Sequence, residues 1–200
     1  MALAALILYA VFAAAGFGWR SWQQHRRTGS TGFRGISGRP GSAEWFAGIA
    51  FVAAIITGIG APALQLAGIL APISPIDASW IGVLGVLLAV AGIAATVYAQ
   101  RDMGDSWRIG VDASETTSLV RDGVFALVRN PIFTAMSIFA TGIVLMVPNP
   151  LSLIALTLLI TAIELQVRIV EEPYLTRTHG HTYRRYLHTV GRFVPLIGRP

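Results

Sequence analysis

Glu164, Arg168, Glu171 and Glu172 stand at i, i+4, i+7 and i+8 at the end of an otherwise apolar run. That spacing puts all four along one face of a helix. A carboxylate within a membrane span is costly and is a functional candidate by default. With about 1.5 Å of rise per residue, Glu164 falls roughly 10 Å inside the end of its span. Two readings stand side by side, a structural i,i+4 pair that neutralises Glu164 and Arg168, or charges kept for a substrate. Glu171 and Glu172 end the helix, where acids oppose its dipole, so a ligand or an arginine partner is expected for them.

A second polar group precedes this stripe. Asn130-Pro131 reads as a helix start, since Asn is a favoured N-cap and Pro a favoured first helical residue. The positive end of that helix would receive a carboxylate or phosphate, and Arg129 adds a fixed cation beside it. Residues 101–129 form a connection longer than two spans require, and long connections are functional or disordered. Trp107, Ile109, Val111, Leu119, Val120, Phe125, Leu127 and Val128 argue against disorder. The segment is expected to fold back against the membrane face.

The elements that must position these groups are membrane helices. Of 200 residues, 54% are hydrophobic and 12% charged, with a mean hydropathy of +0.63, outside the range of a soluble domain. Five spans are expected, over 2–20, 45–70, 79–100, 131–147 and 151–170, each near the roughly 20 residues a bilayer needs. Pro148-Asn149-Pro150 makes the tight turn between the last two. The first run lacks a cationic flank before it, so it reads as a retained span and not a cleaved signal. The reading is an all-α, polytopic integral membrane protein of one domain, with 1–100 as scaffold helices and 101–195 as the chemical region. Gly58, Gly60, Gly82, Gly85 and Gly92 let the scaffold helices approach closely.

All fifteen cations are arginines, confined to 20–39, 101–129 and the chain from Arg168 onward. The connections at 72–79 and 148–150 carry none. Arginine excess on alternate connections puts the N-terminus outside and the C-terminus in the cytoplasm of a bacterial-type cell membrane. Such charges meet anionic lipid headgroups more often than nucleic acid, which is not an expected partner. The Gly- and Arg-rich stretch from Gln23 to Ser42 reads as a loop. The chain has no cysteine, which excludes disulfides, thiolate metal sites and a cysteine nucleophile. His179 and His181 have no third ligand at metal spacing, and no metal is expected. Tyr183, Tyr186, Leu187 and Val190 at i, i+3, i+4 and i+7 mark a C-terminal amphipathic helix. It would lie on the membrane or close over the 101–129 loop, and interfacial anchoring by Tyr and Arg is an equal reading.

The order Gly104-Asp105-Ser106-Trp107-Arg108, Leu119-Val120-Arg121-Asp122-Gly123, Arg129-Asn130-Pro131-Ile132-Phe133, Glu171-Glu172-Pro173-Tyr174-Leu175, His179-Gly180-His181-Thr182-Tyr183 and Arg192-Phe193-Val194-Pro195 resembles the isoprenylcysteine carboxyl methyltransferase family and its phospholipid-methyltransferase relatives. The resemblance implies an S-adenosylmethionine-dependent membrane methyltransferase without the soluble Rossmann fold, whose glycine fingerprint is absent. It implies cofactor contacts from Thr117, Ser118, Leu119, Val120, Phe125, Asn130, Pro131, Ile132, Phe133 and Glu171. The family usually has His and Tyr where this chain has Asn130 and Phe133; Asn keeps hydrogen-bonding capacity and Phe loses a hydroxyl.

An in-line methyl transfer draws much of its acceleration from alignment of donor and acceptor. A carboxylate acceptor needs a positioning cation, for which Arg168 is the candidate. An amine acceptor needs a base, for which Glu164 or Glu172 is the candidate. The acceptor class is a lipophilic small molecule or lipidated chain, entering from the bilayer among membrane lipids. A membrane reductase of sterol-like lipids using NADPH, and a non-catalytic scaffold, are the alternative readings.

Overall fold

Within hydrocarbon a backbone must satisfy its own polar groups, so the apolar runs of this chain become helices. The computed structural model describes residues 1–31, 36, 38–104 and 118–200. Helix α1 (Ala2–Phe12) continues through a π-helical segment, Ala13–Trp19, into α2 (Arg20–Thr28). The stretch expected to be loop from Gln23 onward is therefore helical as far as Thr28. There, Gly29 takes a left-handed conformation (φ 76°) and stops the helix. Helix α3 (Ala43–Leu66) starts where the Ser42 side chain accepts a hydrogen bond from the Trp45 amide at 3.2 Å, an N-cap with Glu44 in the first turn. Then follow α4 (Ser79–Met103), α5 (Pro131–Met146) and α6 (Pro150–Leu165).

A second π-helical segment, Gln166–Glu171, joins α6 without a break to α7 (Glu172–Thr189). Four of these helical stretches are long and apolar enough to cross a membrane, and α5 is a shorter apolar helix. Among the described residues there is no strand, only the isolated bridges Val128–Gly191 and Val194–Ile197.

The hairpin turn before α6 is fixed by Asn149. Its side-chain oxygen accepts from the Ser152 amide at 2.9 Å while Ser152 Oγ accepts from the Asn149 amide at 3.2 Å, a reciprocal cap. Asn149 Nδ2 also donates to the Ala61 carbonyl and to Gln65 Oε1, which ties the turn to α3. Burial is the reason this polar residue must find so many partners, since it is fully enclosed.

Helix α5 is the buried centre of the bundle, and α4 lies against it at small residues. A Cβ at Gly92 would stand 2.6 Å from the Phe139 amide nitrogen, and one at Gly142 would stand 2.6 Å from the Gly85 carbonyl. Backbones at such distance tolerate only glycine, as in other small-residue membrane interfaces. Phe139 in turn stacks on Phe12 with ring centroids 4.4 Å apart, which seats α1. The other faces of α1, α3, α4 and α6 expose Leu3, Ile56, Leu87 and Ile154, as lipid-facing helices do.

The arginine-rich segments gather at one end. Arg20 donates to the Gly104 carbonyl and Arg129 to Leu187 and Gly198 carbonyls. At the opposite end the two arginine-free connections meet, the Ile73 amide donating to the Pro148 carbonyl at 2.6 Å.

Candidate active site

A cavity of about 690 Å³ opens at the arginine-rich end, within the size range of cofactor and ligand sites. One wall is the segment before α5 and the first turn of α5, which present Ser118, Leu119, Val120, Phe125, Asn130, Pro131, Ile132 and Phe133. The opposite wall is the π segment and α7, which present Gln166, Glu171, Tyr174, Tyr183 and Tyr186. Of the ten residues expected at the cofactor, Thr117 lies outside the described residues. The other nine line this one cavity.

Local forces explain the placement of each wall. Pro131 starts α5, but Asn130 does not cap it with its side chain. Asn130 Nδ2 donates instead to the Arg192 carbonyl at 3.1 Å, and its backbone amide donates to the same oxygen. The expected cap is thus replaced by a tie to the C-terminal turn. Arg129, expected to add a fixed cation at this helix start, is 5% exposed and holds that turn through both of its Nη atoms. Its Nη1 donates to the Leu187 carbonyl at 3.0 Å and to the Val190 carbonyl, and its Nη2 to the Gly198 carbonyl and Glu172 Oε1, both at 3.0 Å.

Glu172 closes the clasp from α7, just beyond the apolar span. Arg192 reaches it in a fork, Nε to Oε1 at 2.8 Å and Nη2 to Oε2 at 3.0 Å, the bidentate geometry that makes such pairs strong. Burial alone pushes the Glu172 carboxyl up, but hydrogen bonds from Arg192 and Arg129 outweigh it and hold the group below the usual carboxylate range. The same bond to Glu172 raises the Arg192 guanidinium above its ordinary value, against the desolvation that lowers it.

The charged stripe of the sequence does not stay on one face. A π turn holds more residues than an α turn, so it re-aims every side chain beyond it. Glu171 faces the cavity and accepts from Gln166 Nε2 at 3.3 Å. Glu172 faces the clasp. Glu164, which precedes the π segment, and Arg168, within it, pair with each other on the outside, with side chains 36% and 56% exposed. Neither lines the cavity, and Glu172 does not line it either.

Two contributions were left open by the sequence and a third was missed. Tyr183 and Tyr186 are buried and form a cavity wall, so the C-terminal helix closes over the site and is not a separate element lying on the membrane. It continues the last span, bent where Gly180 takes φ 51°, a conformation that only glycine adopts freely. The Tyr186 hydroxyl donates to the Phe125 carbonyl, so of the placements expected for this helix the one over the 101–129 segment is the one found. The third contribution comes from helices expected to be scaffold only. Phe17, Phe51, Ile55, Thr96 and Gln100 line the cavity, and glycine-rich span sequences carry no signal of that.

The result is a cavity with two chemically different lobes. The polar lobe offers the Glu171 carboxylate, the Gln166 and Asn130 amides, two tyrosines and the positive end of α5. The apolar lobe, lined by Phe51, Val52, Ile55, Met136, Ala162 and Ile163, runs toward α3 and α6. A carboxylate and a helix N-terminus suit a ligand bearing both positive and negative groups, and Phe125 and Phe133 offer ring faces to a planar base. S-adenosylmethionine has all of these parts, and its size fits the volume.

Comparison with known proteins agrees with this architecture. The family described as phospholipid methyltransferase matches residues 80–182. Protein-S-isoprenylcysteine O-methyltransferase A of Arabidopsis thaliana is 27% identical over 120 residues, covering 59% of this chain and 61% of that protein. The Schizosaccharomyces pombe protein-S-isoprenylcysteine O-methyltransferase is 33% identical over 79 residues, 40% of this chain and 34% of its own length. The chain thus spans less than two thirds of these relatives. Among solved structures, a eukaryotic intramembrane Ras methyltransferase, isoprenylcysteine carboxyl methyltransferase, superposes with a TM-score of 0.62 at 22% identity, covering 96% of this chain and 64% of that one. The fold is shared.

Proposed function

Because this chain belongs to the phospholipid methyltransferase family, we propose that it moves a methyl group from S-adenosylmethionine to a lipophilic acceptor, the carboxylate or amine of an isoprenoid or lipid-like molecule, at the membrane face. The observation that carries the reading is the single cavity in which a polar lobe meets an apolar lobe open toward membrane helices. A charged cofactor and a greasy acceptor need such a junction.

S-adenosylmethionine supplies an activated methyl on a sulfonium. Everything else is positioning by this chain. Glu171 and the first turn of α5 would hold the ammonium and carboxylate of the cofactor's amino-acid end, with Ser118, Leu119, Val120 and Phe125 lining the rest of its site. Tyr183 and Tyr186 exclude water from the polar lobe, which strengthens electrostatic contacts there. The aliphatic side chains of α3 and α6 hold the acceptor in line, and alignment is where the acceleration comes from. In this reading Glu172 is a positioning residue, because it acts through Arg129 and Arg192 to seat the tail. Arg168 and Glu164 flank the outer edge of the last span and meet the acceptor head before it enters. Arginine bias supports a cytoplasmic position for this face and an outer one for the N-terminus.

The test is methylation of a total lipid extract by the purified protein with radiolabelled S-adenosylmethionine. Label in an organic-soluble product that disappears in Glu171→Ala supports the reading. Label confined to the aqueous phase, with wild type and Glu171→Ala alike, contradicts it.

A further inference from the structure

Glu44, Gly48, Phe51 and Ile55 stand at i, i+4, i+7 and i+11 on α3 and all four line the active-site cavity. That spacing is one helical stripe. At 1.5 Å of rise per residue it is roughly 16 Å long. It runs from a partly buried carboxylate at the arginine-rich end to the aliphatic side chains of the apolar lobe. The dipole of α3 accounts for an acid in its first turn, and the stripe accounts for the face that acid takes. An acceptor whose chain lies along Phe51 and Ile55 therefore brings its head to Glu44. The bases expected from the sequence, Glu164 and Glu172, lie off the cavity.

The polar side chains that α4 gives to the cavity turn their donors into the protein. Thr96 Oγ1 donates to the Gly92 carbonyl and Gln100 Nε2 to the Gly16 carbonyl, both at 2.8 Å. A carbonyl only accepts, so Gln100 must present its nitrogen to Gly16, and its oxygen is the atom left for a ligand. Both side chains are buried, where polar atoms need partners. Gln166 likewise turns its nitrogen to Glu171. The Arg129 guanidinium also touches the cavity, but both of its Nη atoms serve the tail and Glu172. What this wall offers an occupant is oxygen lone pairs and the Glu44 charge.

We propose that the methyl acceptor is a lipophilic amine without a phosphate, its ammonium head held by Glu44 and the Gln100 oxygen and its chain along Phe51 and Ile55. This rests on the methyl-transfer reading and narrows it. An ammonium brings donors and a positive charge to a wall of acceptors. A carboxylate or phosphate head brings lone pairs to lone pairs and a like charge to Glu44. In the transfer, the ammonium gives one proton to the Glu44 carboxylate, which passes it to water. The freed nitrogen lone pair then forms the N–C bond as the S–C bond of the sulfonium breaks. The electron pair of that bond stays on sulfur, leaving S-adenosylhomocysteine and an N-methylammonium product.

The experiment presents oleylamine, oleic acid and dioleoylphosphatidylethanolamine singly in micelles to the full chain. Methyl transfer from radiolabelled S-adenosylmethionine is read beside retention of each compound in native mass spectrometry, with circular dichroism as the check on fold. Wild type is expected to retain and methylate oleylamine about tenfold or more over the other two, the effect of one charge-assisted contact. Glu44→Gln raises KM for oleylamine by a similar factor and lowers its retention, leaves KM for S-adenosylmethionine in place, and Glu44→Asp recovers part of the loss. A purely structural Glu44 would not divide the two KM values in this way. Preference for oleic acid or for phosphatidylethanolamine, or an oleylamine KM unmoved in Glu44→Gln, overturns the proposal and leaves methyl transfer standing. Folded protein that binds no S-adenosylhomocysteine removes both.

Discussion

At the residue scale the account turns on two neighbouring glutamates with different tasks. Glu171 lines the polar lobe, so Glu171→Ala is expected to weaken S-adenosylhomocysteine binding by about tenfold or more, the loss of one charge-assisted contact, with little change in thermal stability. Glu172 instead neutralises Arg129, whose side chain is 1% exposed. Removing one partner of a buried pair strands the other, so Glu172→Ala should cost about 3 kcal/mol, read by thermal unfolding in detergent. This contribution depends on pH in a definite direction. The folded carboxyl is held below its ordinary value, so the stabilisation is complete above about pH 4.3 and is lost as pH falls through the lowered folded value. Wild type and Glu172→Gln should therefore differ most in melting temperature near neutrality and converge in acid. The sequence announced that both acids needed partners, because a helix end disfavours them. The family resemblance set Glu171 at the cofactor, but nothing local said that Glu172 met arginines, since Arg129 and Arg192 are distant along the chain.

At the element scale, the helices were legible from hydropathy and their ends from Pro131, Pro150 and the asparagine before each. Asn149 caps as its type predicts. Asn130 does not, because the carbonyl of Arg192 competes for its amide and no local rule reports a partner from the far end of the chain. The π segments were not legible at all. A reading with α periodicity carries Glu164, Arg168, Glu171 and Glu172 along one stripe, and Gln166–Glu171 divides that stripe between the outside, the cavity and the clasp. The α4–α5 contact makes a separate prediction. Gly92→Val places a branched side chain against the Phe139 backbone, where nothing flexible can yield. Overpacking of this kind should cost about 3 kcal/mol or prevent assembly, while Gly60→Ala, which meets only a leucine methyl at 3.7 Å, should melt as wild type does.

At the scale of the whole molecule, one end carries the arginines, the cavity and the tail, and the other holds two short connections. Orientation is testable with unusual economy because the chain has no cysteine. Single cysteines at Asp77 and Arg199 are expected to react from opposite sides, Asp77→Cys with an impermeant thiol reagent on intact cells and Arg199→Cys only after permeabilisation. The reverse pattern would place the active face outside. The central claim is that the cavity between the first turn of α5 and the π segment holds the methyl donor. Its most direct measurement is calorimetric titration of the purified, folded protein with S-adenosylhomocysteine. Saturable one-to-one binding that Glu171→Ala weakens and Arg101→Gln leaves in place is the predicted result. Absence of binding in protein with an intact helical spectrum, or binding that Glu171→Ala leaves untouched, would contradict it.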